Sequence, residues 1–193
     1  MRKTWDPKRR RFLEAAAAAA AVPAISCSRS SSSWRFFTDT EADTARAVCD
    51  CLIPPDEYPG AGWAGAVNFL DIQLTGHLRK HAPVYRAGLA AVDRAARARY
   101  GEAFSRLDTA RQVEFLKAIE KGKAGGGWAP TEQQQFFALI LAHTMQSFYG
   151  DPRHGGNRDE VGYRMLGIPA TPVRGRSKHD IQQPAKPAGG KLA

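Results

Sequence analysis

Histidines are the residues of this chain best suited to chemistry, because an imidazole can bind a metal ion or transfer a proton near neutral pH. His77 and His81 lie four residues apart, a spacing that places two metal ligands on one side of a helix. No Asp, Glu or Cys at a recognisable metal-site spacing accompanies them, so two histidines near solvent at a helix end are the simpler interpretation. His143 lies in an apolar segment, where we expect a histidine that is hydrogen-bonded inside the core. A small periplasmic enzyme or metal protein that uses these residues and His154 stays open as an alternative.

Known catalytic motifs are not found in the sequence. It contains no G-x-S-x-G nucleophile turn and no phosphate-binding loop that ends in Lys and Ser or Thr. The glycine-rich run GAGWAG, residues 60–65, follows no predicted strand, so we interpret it as a flexible or sharply turned connection. We therefore predict no catalytic, cofactor-binding or metal-binding residue in this chain.

The segment FYGDPRHGGNRDEVGYRMLGIP, residues 148–169, combines glycines, a proline, an Asn and charged residues in a way that a packed core does not require. Its Gly, Pro and Asn residues permit a compact loop with positive backbone φ angles. We expect Asn157 to cap a short helix with Asp159 and Glu160 in its first turn. The residues expected to face inward from that helix are Val161, Met165 and Leu166.

Two interpretations of this loop are open. It could serve only as a C-terminal lock on the bundle, or it could also be a surface shaped to fit another protein. The second interpretation predicts a partner interface formed by Tyr149, Pro152, His154, Gly155, Gly156, Asn157, Arg158, Asp159, Gly162 and Tyr163.

The elements that would position these residues are helices, because no run of the sequence alternates convincingly with period two. Capping and apolar spacing predict helices over about 39–53, 63–81, 83–101 and 108–122, and a fifth, most apolar helix that ends at Gly150. We expect a capping box of Thr131 and Gln134 to open the fifth helix, which should lie at the centre. The fold class is all-α: one small bundle of about five to six helices, over residues 38–170, with an ordered C-terminal loop-helix.

Residues 1–26 resemble a signal peptide, with a basic start, an Ala-rich run too short to span a membrane, and small residues before Cys27. Arg9, Arg10, Phe12 and Leu13 resemble the R-R-x-F-L pattern of twin-arginine export signals, which implies the twin-arginine translocase as a partner. The run AISC resembles a lipobox, so lipidation of Cys27 and simple cleavage nearby are both open. Export to the periplasm is predicted, with membrane association through a lipid anchor or a partner.

The chain's net charge of +9 lies at its two ends. Residues 1–26 hold six Lys or Arg against two Asp or Glu, and residues 174–193 hold five against one. The part between them is almost neutral, so a nucleic-acid partner is not expected. Residues 27–37 are predicted to form a Ser-rich tether, and residues 171–193 a disordered basic tail rich in Pro and Gly.

Cys49 and Cys51 would remain in an oxidising compartment, where disulfides persist. Two residues apart on a helix, they point away from each other and cannot easily pair together. They are expected to be small buried apolar residues, or one of them could form a disulfide with a second chain.

The segment 148–169 is similar to the C-terminal motif of the gluconate 2-dehydrogenase subunit 3 family. AVCDCLIPPDEYPGAGWAGAVNFLD, which begins at Ala47, and YRAGLAAVDRAARARYGEAFSRLD, which begins at Tyr85, resemble its early and middle segments. The resemblance covers about residues 36–170, with Tyr163 where the family usually has Trp and His154 where Tyr is frequent.

This resemblance implies a partner and no reaction of the chain's own. A large flavoprotein subunit of the glucose-methanol-choline oxidoreductase (GMC) type would bind FAD and oxidise a sugar, sugar acid or related alcohol, and a third, cytochrome c subunit would hold haem. The chain itself would be a non-catalytic subunit without a cofactor that binds, stabilises and co-exports the flavoprotein. A tethered binding protein without an enzyme partner is the remaining alternative.

Overall fold

The computed structural model describes residues 33–168, which form a bundle of α-helices with no β-strand among them. The predicted all-α class is confirmed. The helices are α1 (Asp39–Leu52), α2 (Ala66–Thr75), α3 (Ala82–Tyr100), α4 (Thr109–Glu120), α5 (Pro130–Tyr149) and α6 (Val161–Met165). Short 3₁₀ turns cover Arg79–His81, Phe104–Arg106, Pro152–His154 and Arg158–Glu160. The predicted signal peptide, lipidation site and C-terminal tail lie outside the described residues.

Several helix limits follow the local signals in the sequence. Thr38 and Glu41 form a reciprocal capping box at the start of α1, with the Glu41 amide donating to Thr38 Oγ1 at 3.3 Å. Asp108 caps α4 by accepting a hydrogen bond from the Arg111 amide. Gly101, at a φ of 81°, ends α3 in the left-handed conformation.

Two of the predicted helices have wrong limits. The second helix was expected over 63–81 but α2 covers only Ala66–Thr75, because Gly65 at a φ of 88° precedes it and Gly76 follows it. The fifth helix does not start with a box formed by Thr131. It starts at Pro130, a favourable first-turn residue, and receives no side-chain cap.

Helix α5 has the central place that its apolar sequence predicts, since it contacts each of the other five helices. Phe136, Ile140 and Phe148 on this helix are almost completely buried. Its contact with α3 is close: a Cβ atom on Gly88 would overlap the Phe136 ring. This packing makes α5 a rigid support for the loop that follows it.

The described domain begins before the predicted boundary at residue 38. The buried Asp71 carboxylate on α2 accepts hydrogen bonds from the amides of Arg35, Phe36 and Phe37 at 2.8–3.1 Å. The Arg86 guanidinium lies over the Phe36 ring, 4.1 Å from its centroid. Residues 35–37, which the sequence assigned to a tether, are therefore held on the bundle.

Among residues 33–168, no helix combines the length and the hydropathy that a membrane crossing needs.

Candidate functional site

Two glycine-rich loops that are far apart in the sequence meet in the structure. The Arg158 amide donates to the Ala64 carbonyl at 3.0 Å, and Asn68 Nδ2 donates to the Gly155 carbonyl at 2.8 Å. A Cβ atom on Gly65 would lie 3.0 Å from the Gly155 oxygen, so the two backbones are in close contact. We call residues 60–65 together with residues 150–160 the loop junction.

Asn157 holds the second loop together from inside. Its side chain is fully buried, donates to the Gly150 carbonyl at 2.7 Å and accepts from the Gly162 amide at 2.8 Å. Asn157 directly precedes the Arg158–Glu160 turn, but its side chain makes no hydrogen bond to the amides of that turn. It instead satisfies a first-turn amide of α6, that of Gly162, so the predicted capping role is found one turn later than expected. It bridges the two ends of the loop because a buried amide can satisfy a donor and an acceptor at once.

The glycines of this segment are required by close backbone contacts with the end of α5. A Cβ atom on Gly162 would overlap the Phe148 carbonyl oxygen, and one on Gly156 would overlap that of Ser147. Gly155 has a φ of 98°, which L side chains rarely adopt. The lock on the bundle that the sequence suggested is thus present in the structure.

Burial divides the predicted interface residues into two groups. Gly156, Asn157, Gly162 and Tyr163 are buried within the chain and cannot offer a contact surface in this conformation. The fully or partly exposed members are Tyr149, Pro152, His154, Gly155, Arg158 and Asp159. A surface at this loop would have to be formed by the second group.

Helix α6 faces solvent more than the sequence predicted. Val161 is buried as expected, but Met165 is 38% exposed and Leu166 is 53% exposed. The reason is that α6 has only about one and a half turns, because it begins at Val161, after the Arg158–Glu160 turn. Two large apolar side chains therefore lie on the surface beside the loop junction.

Backbone strain is concentrated in the same turn. Asn157, Asp159 and Glu160 have φ angles of 46°, 52° and 57°, and no other non-glycine residue in 33–168 has a positive φ. Such conformations cost on the order of 1–3 kcal/mol each and persist only where the surrounding structure enforces them. Strain of this kind is typical of positions that present side chains for function.

The exposed part of the loop junction carries an aromatic and cationic pair. Trp63 is 37% exposed, and the Arg158 guanidinium lies 5.5 Å from the centroid of its ring. Nearby, Arg153 donates to both carboxylate oxygens of Asp151, and these hydrogen bonds lower the Asp151 pKa to about 2. Trp63 is the functional candidate that the sequence analysis missed, since GAGWAG was interpreted only as a connection.

Groove A, with a cavity volume of about 830 Å³, lies on the Trp63 side of the junction. Asp50 lines this groove, and its Oδ1 accepts a hydrogen bond from the Gly62 amide at 2.7 Å. Burial raises the Asp50 pKa. Four charged side chains line the groove among its fourteen residues: Asp43, Arg46, Ala47, Asp50, Cys51, Pro54, Pro55, Pro59, Gly60, Trp63, Ser105, Arg106, Thr109 and Gln112.

Groove B, also about 830 Å³, lies between α2 and α5 and reaches the second loop. No Asp, Glu, Lys or Arg is among its lining residues, which are Phe69, Gln73, His77, Met145, Gln146, Tyr149, Gly150 and His154. The sequence analysis did not find this groove because the packing of α2 against α5 creates it. The sequence offered one signal, which is that the fifth helix is apolar on more than one face. Two of its apolar residues, Leu141 and Met145, are exposed in the structure.

The histidines are distributed over two different environments. His143 Nδ1 is hydrogen-bonded to the buried Tyr85 hydroxyl at 2.9 Å, which confirms its expected core position. Burial, and secondly the neighbouring His81, lower the His143 pKa. His77 instead lines groove B with His154, so His77 and His81 do not share a helix face. Within residues 33–168, no three His, Cys, Asp or Glu side chains are grouped as metal ligands.

Both cysteines are free thiols in the described chain. Cys49 is fully buried with Sγ 3.3 Å from Thr144 Oγ1, and burial raises its pKa to about 12. A disulfide from Cys49 to a second chain would require this part of the core to open. Cys51 is half-buried in groove A, where burial raises its pKa to about 11. An inter-chain bridge stays a prediction for Cys51 alone.

Comparison with known proteins agrees with the resemblance noted in the sequence. The family model described as gluconate 2-dehydrogenase subunit 3 matches residues 39–169, which is most of the chain and contains the whole loop junction. The chain therefore belongs to the gluconate 2-dehydrogenase subunit 3 family. Membership implies association with other subunits of a dehydrogenase complex. No curated protein and no solved structure gives a significant match.

Proposed function

We propose that this chain is a non-catalytic small subunit that binds, stabilises and co-exports a GMC-type, FAD-dependent dehydrogenase of a sugar, sugar acid or related alcohol. In this proposal FAD belongs to the large subunit and haem c to a cytochrome subunit. The complex works in the periplasm and is held at the membrane by a partner or by a lipid on Cys27. The twin-arginine pattern at Arg9 and Arg10 supports export in the folded state.

The observation that carries the proposal is the exposed pair of Trp63 and Arg158 on the loop junction. Trp, Arg and Tyr are the residue types that contribute most binding energy at protein interfaces. The loop that presents Arg158 is already fixed by Asn157 and by backbone contacts with α5, so little ordering entropy would be lost on binding. A rigid loop with an exposed aromatic and a cation supports a preorganised protein-binding surface.

The binding role is tested by co-expressing the tagged chain with the large subunit and replacing Arg158 by Glu. We expect the affinity to fall by at least tenfold, because the substitution removes the cation that lies beside the exposed Trp63 ring and replaces it with a carboxylate. Arg94→Glu on α3 is the matched control, since Arg94 is also an exposed arginine but lies outside both grooves. Equal recovery of the flavoprotein with both variants in a quantitative pull-down would contradict the proposed surface.

The escort role is tested separately by replacing Arg9 and Arg10 with Lys. We expect the flavoprotein to accumulate in the cytoplasm, because it would then lack the export signal that this chain supplies. Fractionation and FAD fluorescence measure its distribution. Full yield of the flavoprotein in the periplasm would overturn co-export and leave the binding role intact.

A further inference from the structure

The two walls of groove B are faces of α2 and α5, and their side chains recur at helical spacing. Phe69 and Gln73 are four residues apart on α2, and Met145 and Tyr149 are four residues apart on α5. Residues at this spacing are neighbours on one face of their helix. A cleft between two such rows is the shape into which the side-chain ridge of a third helix packs.

Groove B differs from groove A because no Asp, Glu, Lys or Arg lines it. Four charged side chains line groove A, whereas groove B offers only uncharged side chains and two imidazoles. Helix α5 carries no Asp, Glu, Lys or Arg from Gln133 to Tyr149, a length of about 25 Å. A surface without charge over that length complements an equally uncharged ridge, because burying an unpaired charge there would be costly.

Exposed apolar side chains continue from groove B along the same helix and onto α6. Leu141 and Met145 are 36% and 42% exposed, and they are four residues apart on α5. The Tyr149 hydroxyl donates to Met165 Sδ at 3.9 Å, which joins α6 to the wall of the groove. Apart from Trp63, every large apolar side chain that is at least 36% exposed in the described chain lies on α5, on α6 or, as Leu166, directly after α6.

We propose that groove B and the adjoining face of α5 bind one apolar, uncharged helix of another subunit of the dehydrogenase complex. This inference rests on the proposed function, and it adds that the part of the other subunit bound in groove B is a helix. A protein helix fits better than a lipid surface. Helices that lie on membranes carry Lys and Arg on their polar face, and α5 has none over this stretch.

Site-specific photo-crosslinking of the assembled complex tests the proposal directly. A benzophenone amino acid is placed at Gln73 on α2 or at Gln146 on α5, both of which line the groove. We expect mass spectrometry to find crosslinks from both positions to one segment of another subunit, at residues spaced three or four apart. Crosslinks only to lipid, to a second copy of this chain or to no partner would overturn it.

A charge substitution gives a second, independent test. Met145→Glu should weaken binding of the other subunit by at least tenfold, whereas Met145→Leu should change it by less than twofold. Ala98→Glu, at an exposed position on α3 outside both grooves, is the control for charge alone. If Met145→Glu binds like the wild type, the groove is not the helix site.

The two proposals can fail separately. If no other subunit co-purifies with the wild-type chain, the proposed function itself is wrong. If subunits co-purify but neither crosslinks nor the Met145→Glu variant implicate groove B, only the helix site is wrong and binding through Trp63 and Arg158 stands.

Discussion

At the residue scale, the loop junction depends on a few positions whose side-chain size is fixed by neighbouring backbone. Gly162 has no room for a methyl group because the Phe148 carbonyl occupies that space. Asn157 cannot be replaced by an apolar residue of similar size, since the Gly150 carbonyl and Gly162 amide would lose their partners. The sequence marks both positions by residue type. It does not reveal that their role is internal.

Substitutions at Gly162 and Gly101 distinguish two reasons why a position requires glycine: close contact with neighbouring backbone at Gly162, and a positive φ angle at Gly101. Gly162→Ala introduces an overlap with backbone, so we expect it to destabilise the chain by about 3 kcal/mol or more. Gly101→Ala is the control: its φ is 81° but nothing lies within 4 Å of the added Cβ, so about 1 kcal/mol is expected. Urea unfolding followed by circular dichroism measures both. Equal losses would contradict the close-contact explanation.

His143 gives the folded chain a defined pH dependence. Its pKa is lowered by burial and by His81, so the unfolded state binds a proton more readily than the folded state. This contribution to stability is complete above the unfolded value near 6.5 and is lost as the pH falls through the lower folded value. His143→Gln should remove that part of the pH dependence, whereas His77→Gln, at an exposed position, should preserve it. Thermal melting between pH 5 and 8 measures the difference.

At the element scale, the predicted helix limits were correct where a local capping signal sets them, and they were wrong where tertiary contacts set them. The box of Thr38 and Glu41 and the Asp108 cap can be read directly from spacing. The start of α2 cannot, because Gly65 is held in its positive φ by contact with a loop some 90 residues later. Groove B and the exposed Trp63 depend on that same long-range packing. The sequence marks the loop of residues 150–160 as unusual in composition, but it does not show which of its residues face solvent.

Asp71 links the N-terminal segment to α2, and its removal should release that segment. Asp71→Ala leaves the amides of Arg35, Phe36 and Phe37 without their acceptor, so we expect a loss of about 2–4 kcal/mol. Hydrogen exchange should increase at these amides more than in α4 or α5. Asp43→Ala, an exposed position on α1, should change neither quantity. Unchanged exchange at residues 35–37 would show that other contacts are sufficient to hold them.

At the scale of the whole molecule, one loop has both a structural and a proposed binding role, and these roles belong to different side chains. Asn157 is buried and holds the loop on α5, whereas Arg158 is exposed beside Trp63. The family to which the chain belongs implies other subunits, so stability in the assembled state includes the free energy of binding. The two roles can therefore be separated by measuring stability with and without the partner.

Asn157→Ala and Arg158→Glu should give opposite patterns in such a measurement. Arg158→Glu should unfold like the wild type when alone, yet lose the stabilisation of about 2.7 kcal/mol that partner at a hundred times the Kd provides. Asn157→Ala should be less stable alone by about 2–4 kcal/mol, because the part-buried Gly150 carbonyl and the buried Gly162 amide lose their partner. Excess partner should restore part of this loss, since binding favours the ordered loop. If Arg158→Glu were equally stabilised by partner, the exposed half of the loop would have no role in binding and the loop would act only as a lock.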